Sequence, residues 1–356
     1  SLEGWSDIGE NTYEIDQNVE GEWIDENSPS TEGYAMWKQN NYAEYNGATV
    51  VKYYSTLAEA LSGVTSGNTI KPLRTLTDYS SSTPTLATEK TITLDLDGKT
   101  VITSKTITNN GTLTMTGTGT LAYNQSEGLG AIANYNEANF TLSGGNITST
   151  RSGVVNVNST GTIRVQGGTI TAEVNGIYEE ENANGEIIVT GGTIEGTARG
   201  LYACGNSEIT LSNNAYIKSN ISAAINIPGS NVVTISGGTY EGVSEVALAT
   251  YGTGNVTVTG GTFKQGANGY SITLRGDSEV SYGGTAIGTS VYIAENAKVN
   301  IIGGTLRNED GGTDNRDTVL VRDSAKVTIT GGNISKTASE SDRYAVYSME
   351  TADVTI

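Results

Sequence analysis

Apolar and polar residues alternate along most of this chain, in short runs that each end at a pair of glycines. Examples are FTLS at 140–143, VTVT at 256–259 and VTIT at 327–330. A period of two places successive side chains on opposite faces of a β-strand. The pattern therefore predicts strands with an apolar inner face and an outer face that is rich in threonine.

The glycine pairs recur at a nearly constant interval of about 23 residues. They begin at positions 144, 167, 191, 237, 260, 283, 303 and 331, and Asn213-Asn214 fills the gap after 191. Glycine suits a corner that needs positive φ or has no room for a Cβ atom. A fixed corner at a period of this length indicates a solenoid in which each repeat forms one coil.

Two more apolar columns share this period. After each corner comes Thr or Asn followed by an apolar residue, as in Asn146-Ile147, Thr169-Ile170 and Thr262-Phe263. A third strand carries an inward column that is preceded by a small residue in most coils. Its predicted members are Ile132, Val154, Ile177, Leu201, Ile225, Leu248, Ile272, Leu320 and Val346. A single coil leaves these columns exposed, and stacking the coils buries them.

The sequence thus predicts an all-β fold, a right-handed parallel β-helix of about ten coils over 47–356, after an acidic N-terminal segment at 1–46. The hand follows from the crossover rule for parallel strands. A capping helix is expected near 56–64, because Thr56 and Glu59 form a capping box and Leu57, Ala60 and Leu61 make an apolar stripe. Residues 352–356 repeat 325–329 and stop where Thr-Gly-Gly is due, so we expect the β-helix to be C-terminally incomplete.

Several motifs near the start of the predicted β-helix carry a family resemblance. They are Tyr45-Asn46-Gly47, the run YSTLAEAL at 54–61, Gly67-Asn68-Thr69-Ile70 and the run LDLDGKT at 94–100. Together with the Gly-Gly-Thr repeats, they resemble bacterial cell-surface repeat proteins of the pectate-lyase-like β-helix superfamily. The resemblance covers residues 45–356. It implies a module of a secreted or cell-surface polypeptide.

The charge limits the classes of partner. The net charge is −19, and residues 1–46 contribute −10 of it, from eleven acidic residues and Lys38. Such a chain repels phosphate backbones, so nucleic acid is not an expected partner. The sequence has no run of 18 apolar residues, so we expect no membrane insertion by this fragment. It has no histidine and one cysteine, Cys204, which excludes a histidine base and a multi-cysteine metal site.

The resemblance, together with the absence of histidine, implies a non-catalytic surface module for adhesion, for glycan or protein binding, or as a structural spacer. Its partner would be a cell-surface glycan or a host or matrix protein. The alternative is a carbohydrate-active β-helix enzyme, a polysaccharide lyase or a glycoside hydrolase. The resemblance implies Gly-His-Gly with aspartates in the hydrolases, and calcium-binding carboxylates with an arginine base in the lyases. A groove lined by carboxylates and an arginine would favour the enzyme.

Two groups of residues are candidate sites. The chain has 19 Tyr but only 2 Phe, and an exposed tyrosine can stack on a sugar ring or mark a protein contact. The candidate ligand-binding residues on the outer face of the third strand are Tyr178, Tyr202, Tyr251 and Tyr347. No resident cofactor is expected, although Ca²⁺ is possible at an acidic cluster in two long insertions. The candidate calcium ligands are Glu309, Asp310, Asp314, Asp317, Glu340 and Asp342.

The alternative interpretation of these acidic residues is a solvated loop whose Asp, Asn and Gly residues form turns. The run Glu179-Glu180-Glu181 is likewise expected to be a solvated loop.

Overall fold

Each coil of the chain consists of three short strands, and equivalent strands of successive coils pair in parallel. The computed structural model describes residues 5–9, 12–15, 21–24, 36–265, 270–288, 291–309, 316–336 and 343–356. The third strands form one sheet of twelve, so the chain is a parallel β-solenoid of about twelve turns.

The strands fall into three stacks. The first strands are Thr69–Pro72, Thr91–Asp95, Thr112–Thr116, Asn139–Leu142, Thr162–Val165, Glu186–Val189, Glu208–Leu211, Val232–Ile235, Asn255–Val258, Glu279–Tyr282 and Asp353–Thr355. The second strands are Leu76–Asp78, Thr100–Thr103, Thr120–Tyr123, Asn146–Ser149, Thr169–Ala172, Thr193–Gly196, Tyr216–Ser219, Thr239–Gly242, Thr262–Gln265 and Thr285–Gly288. Lys298–Asn308 and Lys326–Lys336 each run through both positions. The third strands are Thr85–Leu86, Ile107–Asn109, Gly130–Tyr135, Ser152–Val157, Asn175–Glu179, Arg199–Ala203, Ile225–Ile227, Leu248–Thr250, Ile272–Leu274, Val291–Ile293, Val319–Val321 and Val346–Ser348.

Antiparallel hairpins precede the coils. Trp5–Gly9 pairs with Thr12–Ile15, and Gly21–Ile24 pairs with Met36–Gln39. Tyr42–Asn46 pairs with both Thr49–Tyr54 and the first-coil strand Thr69–Pro72. This last pairing joins the hairpin to the body of the solenoid.

The short helix Leu57–Gly63 forms at the predicted place. The Thr56 hydroxyl accepts a hydrogen bond from the amide of Glu59 at 3.2 Å, and the Glu59 carboxylate accepts one from the amide of Ser55 at 3.1 Å. The first bond is the N-cap bond of the predicted capping box, whereas Glu59 accepts from the residue before the N-cap and not from Thr56 itself. Leu57 and Leu61 are fully buried. The role of this helix as a lid over the first coil stays a prediction.

The predicted columns form the core, with one correction and one addition in the third strands. Register places Val319 between Val291 and Val346, while Leu320 lies beside Tyr292 on the outer face. The prediction of Leu320 as an inward residue was therefore wrong by one position. Val291 was missed because its coil is short. The estimate of ten coils was low because the coils before residue 140 lack the glycine pair.

Backbone crowding explains the small residues. Gly192 has φ +76°, and a Cβ atom there would lie 2.8 Å from the carbonyl oxygen of Gly168 in the coil before. At Gly176, just before the inward Ile177, a Cβ atom would lie 2.4 Å from Cγ2 of Ile194. The corners therefore need glycine for conformation, and the third-strand column needs it for close packing.

The inward columns are expected to carry the stability of the fold. Ile177→Asp or Ile225→Asp buries an unpaired carboxylate between coils, which should cost at least ~4 kcal/mol and unfold several neighbouring coils. Thr171→Asp, on an exposed position of the neighbouring second strand, is the control and should melt like the wild type. Thermal melting followed by far-ultraviolet circular dichroism measures the difference. Wild-type melting of both isoleucine variants would contradict the assigned core.

Candidate functional site

Tyrosines and arginines concentrate on the outer face of the third sheet. Parallel register aligns Tyr178 with Tyr202 in adjacent coils. Further along the rod, Tyr251 lies just after the strand Leu248–Thr250, and Tyr292 lies within Val291–Ile293. We call this surface the tyrosine–arginine band, and its members are Tyr178, Arg199, Tyr202, Tyr251, Tyr270, Arg275, Tyr292 and Arg316.

The N-terminal half of the band is built around Tyr202. Its ring stacks on that of Tyr178, with centroids 5.6 Å apart and planes inclined by 14°. The guanidinium carbon of Arg199 lies 4.2 Å from the centroid of the same ring. Stacking and a cation–π contact therefore fix this tyrosine from its neighbours in the sheet.

The C-terminal half repeats the same contacts with other residues. Arg275 lies 6.0 Å from the ring centroid of Tyr251 and 5.6 Å from that of Tyr292. Tyr292 also contacts Tyr270, with centroids 5.0 Å apart, and Arg316 lies 4.7 Å from the Tyr270 ring. Tyrosine and arginine thus alternate along this part of the rod.

Electrostatics connect the two halves. Burial raises the pKa of Tyr251, and the charges of Arg275 and Arg199 act against that rise. Arg199 therefore influences both Tyr202 and a tyrosine that lies two coils further towards the C-terminus.

This geometry changes the expected mode of binding. The ring of Tyr202 was expected to be open for stacking on a sugar ring, but Tyr178 and Arg199 both contact it. Tyr251 is more open, with 43% of its surface exposed. Tyr347 lies apart from the band, where it stacks on Tyr344 with centroids 5.3 Å apart.

The arginines of this sheet differ in their acidic partners. Arg275 Nε lies 3.2 Å from Glu295 Oε1, and Arg322 Nη2 lies 2.6 Å from Glu350 Oε1. Both glutamates also accept backbone N–H groups of the preceding coil, so they serve the turns as well as the ion pairs. Within the described part of the chain, Arg199 forms no ion pair and its Nε has no hydrogen-bond partner.

A second candidate surface is a shallow groove of about 520 Å³ on the outer face of the first strands. Asn255, Thr257, Ser281 and Asn300 line it with polar groups. Among its described lining residues, the single carboxylate is Glu279, which lies 2.8 Å from Lys298 Nζ, and none is an arginine. The groove therefore lacks the arrangement that would favour an enzyme.

The candidate calcium ligands lie largely outside the described residues. This holds for Asp310, Asp314, Glu340 and Asp342. The bases of the two insertions are adjacent, because Asn308 pairs with Lys336. The two candidate ligands that are described, Glu309 and Asp317, have partners in the protein.

Glu309 pairs with Arg307, and the buried Asp317 accepts a hydrogen bond from the amide of Tyr344 at 2.6 Å. Over the residues that are described, no group of three His, Cys, Asp or Glu residues suits a metal ion.

Glu179 corrects the expectation of a solvated acidic loop at 179–181, because it is fully buried. It continues an internal column of asparagines formed by Asn109, Asn134 and Asn156. Its carboxylate accepts hydrogen bonds from the amides of Gly205 and Ser207, each at 3.2 Å, in the next coil.

A third hydrogen bond to Glu179 comes from Nδ2 of Asn231, at 2.6 Å, two coils away. One side chain thus links three coils. Burial raises the pKa of Glu179, and these hydrogen bonds only partly offset the rise.

Four members of the band were not predicted from the sequence: Arg199, Tyr270, Tyr292 and Arg316. Arg199 precedes Gly200, and Tyr292 follows Val291. If the third strand of every coil had been aligned from the sequence, both residues would have been placed on the same outer face as the predicted tyrosines. Tyr270 and Arg316 lie in the turns before the third strands, where periodicity gives no direction for a side chain. Their contacts are visible only in three dimensions.

Comparisons with known proteins found no match: no protein-family model, curated protein or solved structure is similar enough to this chain. None of the described helices is both long enough and apolar enough to cross a bilayer.

Glu179 predicts a pH dependence of stability. Its pKa in the folded chain is raised above the ordinary value of 4.5, so the folded state holds the proton more tightly than the unfolded state. The wild type should therefore lose stability as pH rises through the window that begins near 4.5 and ends at the raised pKa. Glu179→Gln does not titrate, so its stability relative to wild type should rise across this window and then level off. Exposed Glu208→Gln is the control, and denaturant unfolding at several pH values measures the difference. A constant difference between Glu179→Gln and wild type would contradict the assignment.

The calcium hypothesis predicts that millimolar calcium raises the melting temperature, because a ligand that binds only the folded state stabilises it. The rise should disappear in the double variant Asp310→Asn, Asp314→Asn, which leaves the buried Asp317 intact. Magnesium is the control cation, since it demands a smaller and more regular oxygen shell. The absence of a shift would leave arginine pairing, as in Arg307–Glu309, as the way this charge is neutralised.

Proposed function

We propose that this chain is a non-catalytic module of a secreted or cell-surface bacterial protein, and that it binds a glycan through the tyrosine–arginine band. The observation that carries the proposal is the series of contacts between tyrosine and arginine side chains along one face of the solenoid. Phenol and guanidinium groups combine apolar edges with fixed hydrogen-bond donors, which suits a chain of hydroxylated rings.

The rod geometry supports a linear partner. Equivalent positions repeat once per coil, at the strand spacing of about 4.8 Å. The band extends from Tyr178 to Tyr292, through the third strands of six consecutive coils. An extended polymer that lies along the axis can contact several of these positions at once, so weak contacts add to useful affinity.

The groove on the first strands supports a binding role over a catalytic one. General acid–base chemistry on a glycosidic bond uses two carboxyl groups in a defined arrangement. Glu279 lies next to Lys298, and no other carboxylate of the described residues lines the groove. The enzyme alternative therefore lacks a supporting observation, whereas the band gives the binding module one.

Tyrosine variants test the proposed function. Wild-type protein should be retarded in native gels that contain a soluble polysaccharide from a panel of neutral and anionic polymers. Tyr251→Ala should weaken the best binding by about tenfold, since it removes an exposed aromatic contact worth roughly 1 kcal/mol or slightly more. Tyr79→Ala is the matched control, because Tyr79 is 87% exposed and lies outside the band.

All three proteins should show the same melting temperature. Retardation by none of the polymers, or equal retardation of Tyr251→Ala and wild type, would overturn the proposed function.

A further inference from the structure

Arg199 forms no ion pair with any acidic residue in the part of the chain that the structure describes. By contrast, Arg275 and Arg322 on the same sheet each form an ion pair with a glutamate. Glu181 and Glu245 lie near enough to influence Cys204 and Tyr251, yet neither comes within 4.0 Å of Arg199 to form an ion pair. The chain contains 39 acidic residues against 20 basic ones, so acids are abundant, but none of the described ones forms an ion pair with this guanidinium.

The guanidinium of Arg199 is also held in place. It lies on the ring of Tyr202, and that ring is fixed by the stack with Tyr178. The side chain of Arg199 is half-buried, and its Nε lies out of contact with solvent. A planar fork whose orientation is set beforehand loses little entropy when it binds.

Partial burial makes the missing counter-charge more significant. A guanidinium that is withdrawn from water gains more from an anion than a fully solvated one does, because the local dielectric constant is lower. Arginine presents parallel N–H groups that match the two oxygens of a carboxylate or a sulfate group. The geometry of this site therefore calls for an oxyanion from outside the chain.

We infer that Arg199, supported by Tyr202, is an oxyanion subsite within the tyrosine–arginine band, and that the glycan it serves carries carboxylate or sulfate groups. This inference rests on the proposed function and adds the class of ligand. The net charge of −19 bears on this inference, because the protein as a whole repels polyanions. Binding to an anionic polymer must then come from a local cationic site.

Three polymers with one backbone separate charge from sugar recognition. The probes are dextran, carboxymethyl-dextran and dextran sulfate, each tested by isothermal titration calorimetry with the full chain at physiological salt. Wild type should bind one or both charged forms at least about tenfold more tightly than dextran. Arg199→Gln should abolish this preference, and Arg199→Lys should keep part of it, because lysine supplies charge without the fork. The control Arg164→Gln removes an arginine from the first-strand face and should bind as the wild type does.

The outcomes distinguish the inference from the function on which it rests. Equal binding of dextran and its charged forms, with loss in Tyr251→Ala, would overturn the oxyanion subsite and leave the glycan-binding module standing. Unchanged binding of the charged polymers by Arg199→Gln would also overturn the subsite. A preference for one charged form over the other identifies the oxyanion as carboxylate or sulfate. Binding of no polymer by the wild type, here and in the wider panel, would overturn both proposals.

Discussion

The structure depends on the parallel stacking of coils in register. No coil has a core of its own, since its inward residues meet mainly those of the coils above and below. Ile177, for example, packs between Val154 and Leu201 in one column. Burial of these columns provides the apolar driving force, and the parallel hydrogen bonds satisfy the backbone. Each coil is therefore stabilised by its neighbours rather than by its own contacts.

The same register that builds the core also builds the outer surfaces. A residue type repeated at one position becomes a ladder, because equivalent side chains lie one strand spacing apart. Tyr178 and Tyr202 stack for this reason, and so do the internal asparagines at 109 and 134, which share a hydrogen bond of 2.8 Å. At the C-terminal end, Glu295 and Asp323 each accept a backbone N–H of the coil before. The chain uses its acidic residues there to close turns, so acidity by itself does not indicate a site.

Buried and half-buried charges show how context decides the role of a charged residue. Glu179 faces inward, where three donors from two coils surround its carboxylate, and its role is to tie coils together. Arg199 faces outward in the next coil, where the ring of Tyr202 supports its guanidinium but no acid among the described residues forms an ion pair with it. The first charge is satisfied within the protein, while the second is available to a partner. This contrast is the physical basis of the proposal that the third sheet carries the binding surface.

The sequence by itself determined the solenoid, its three apolar columns, the glycine corners and the helix N-cap at Thr56. These features follow from periods of two and about 23 residues and from local backbone chemistry, which can be read along one dimension. Tertiary structure alone decided that Val319 rather than Leu320 faces inward, because a long insertion shifts the register there. It also decided that Glu179 is buried and that Arg199 lies on Tyr202. Those contacts join residues whose directions depend on neighbouring coils, and no local pattern encodes them.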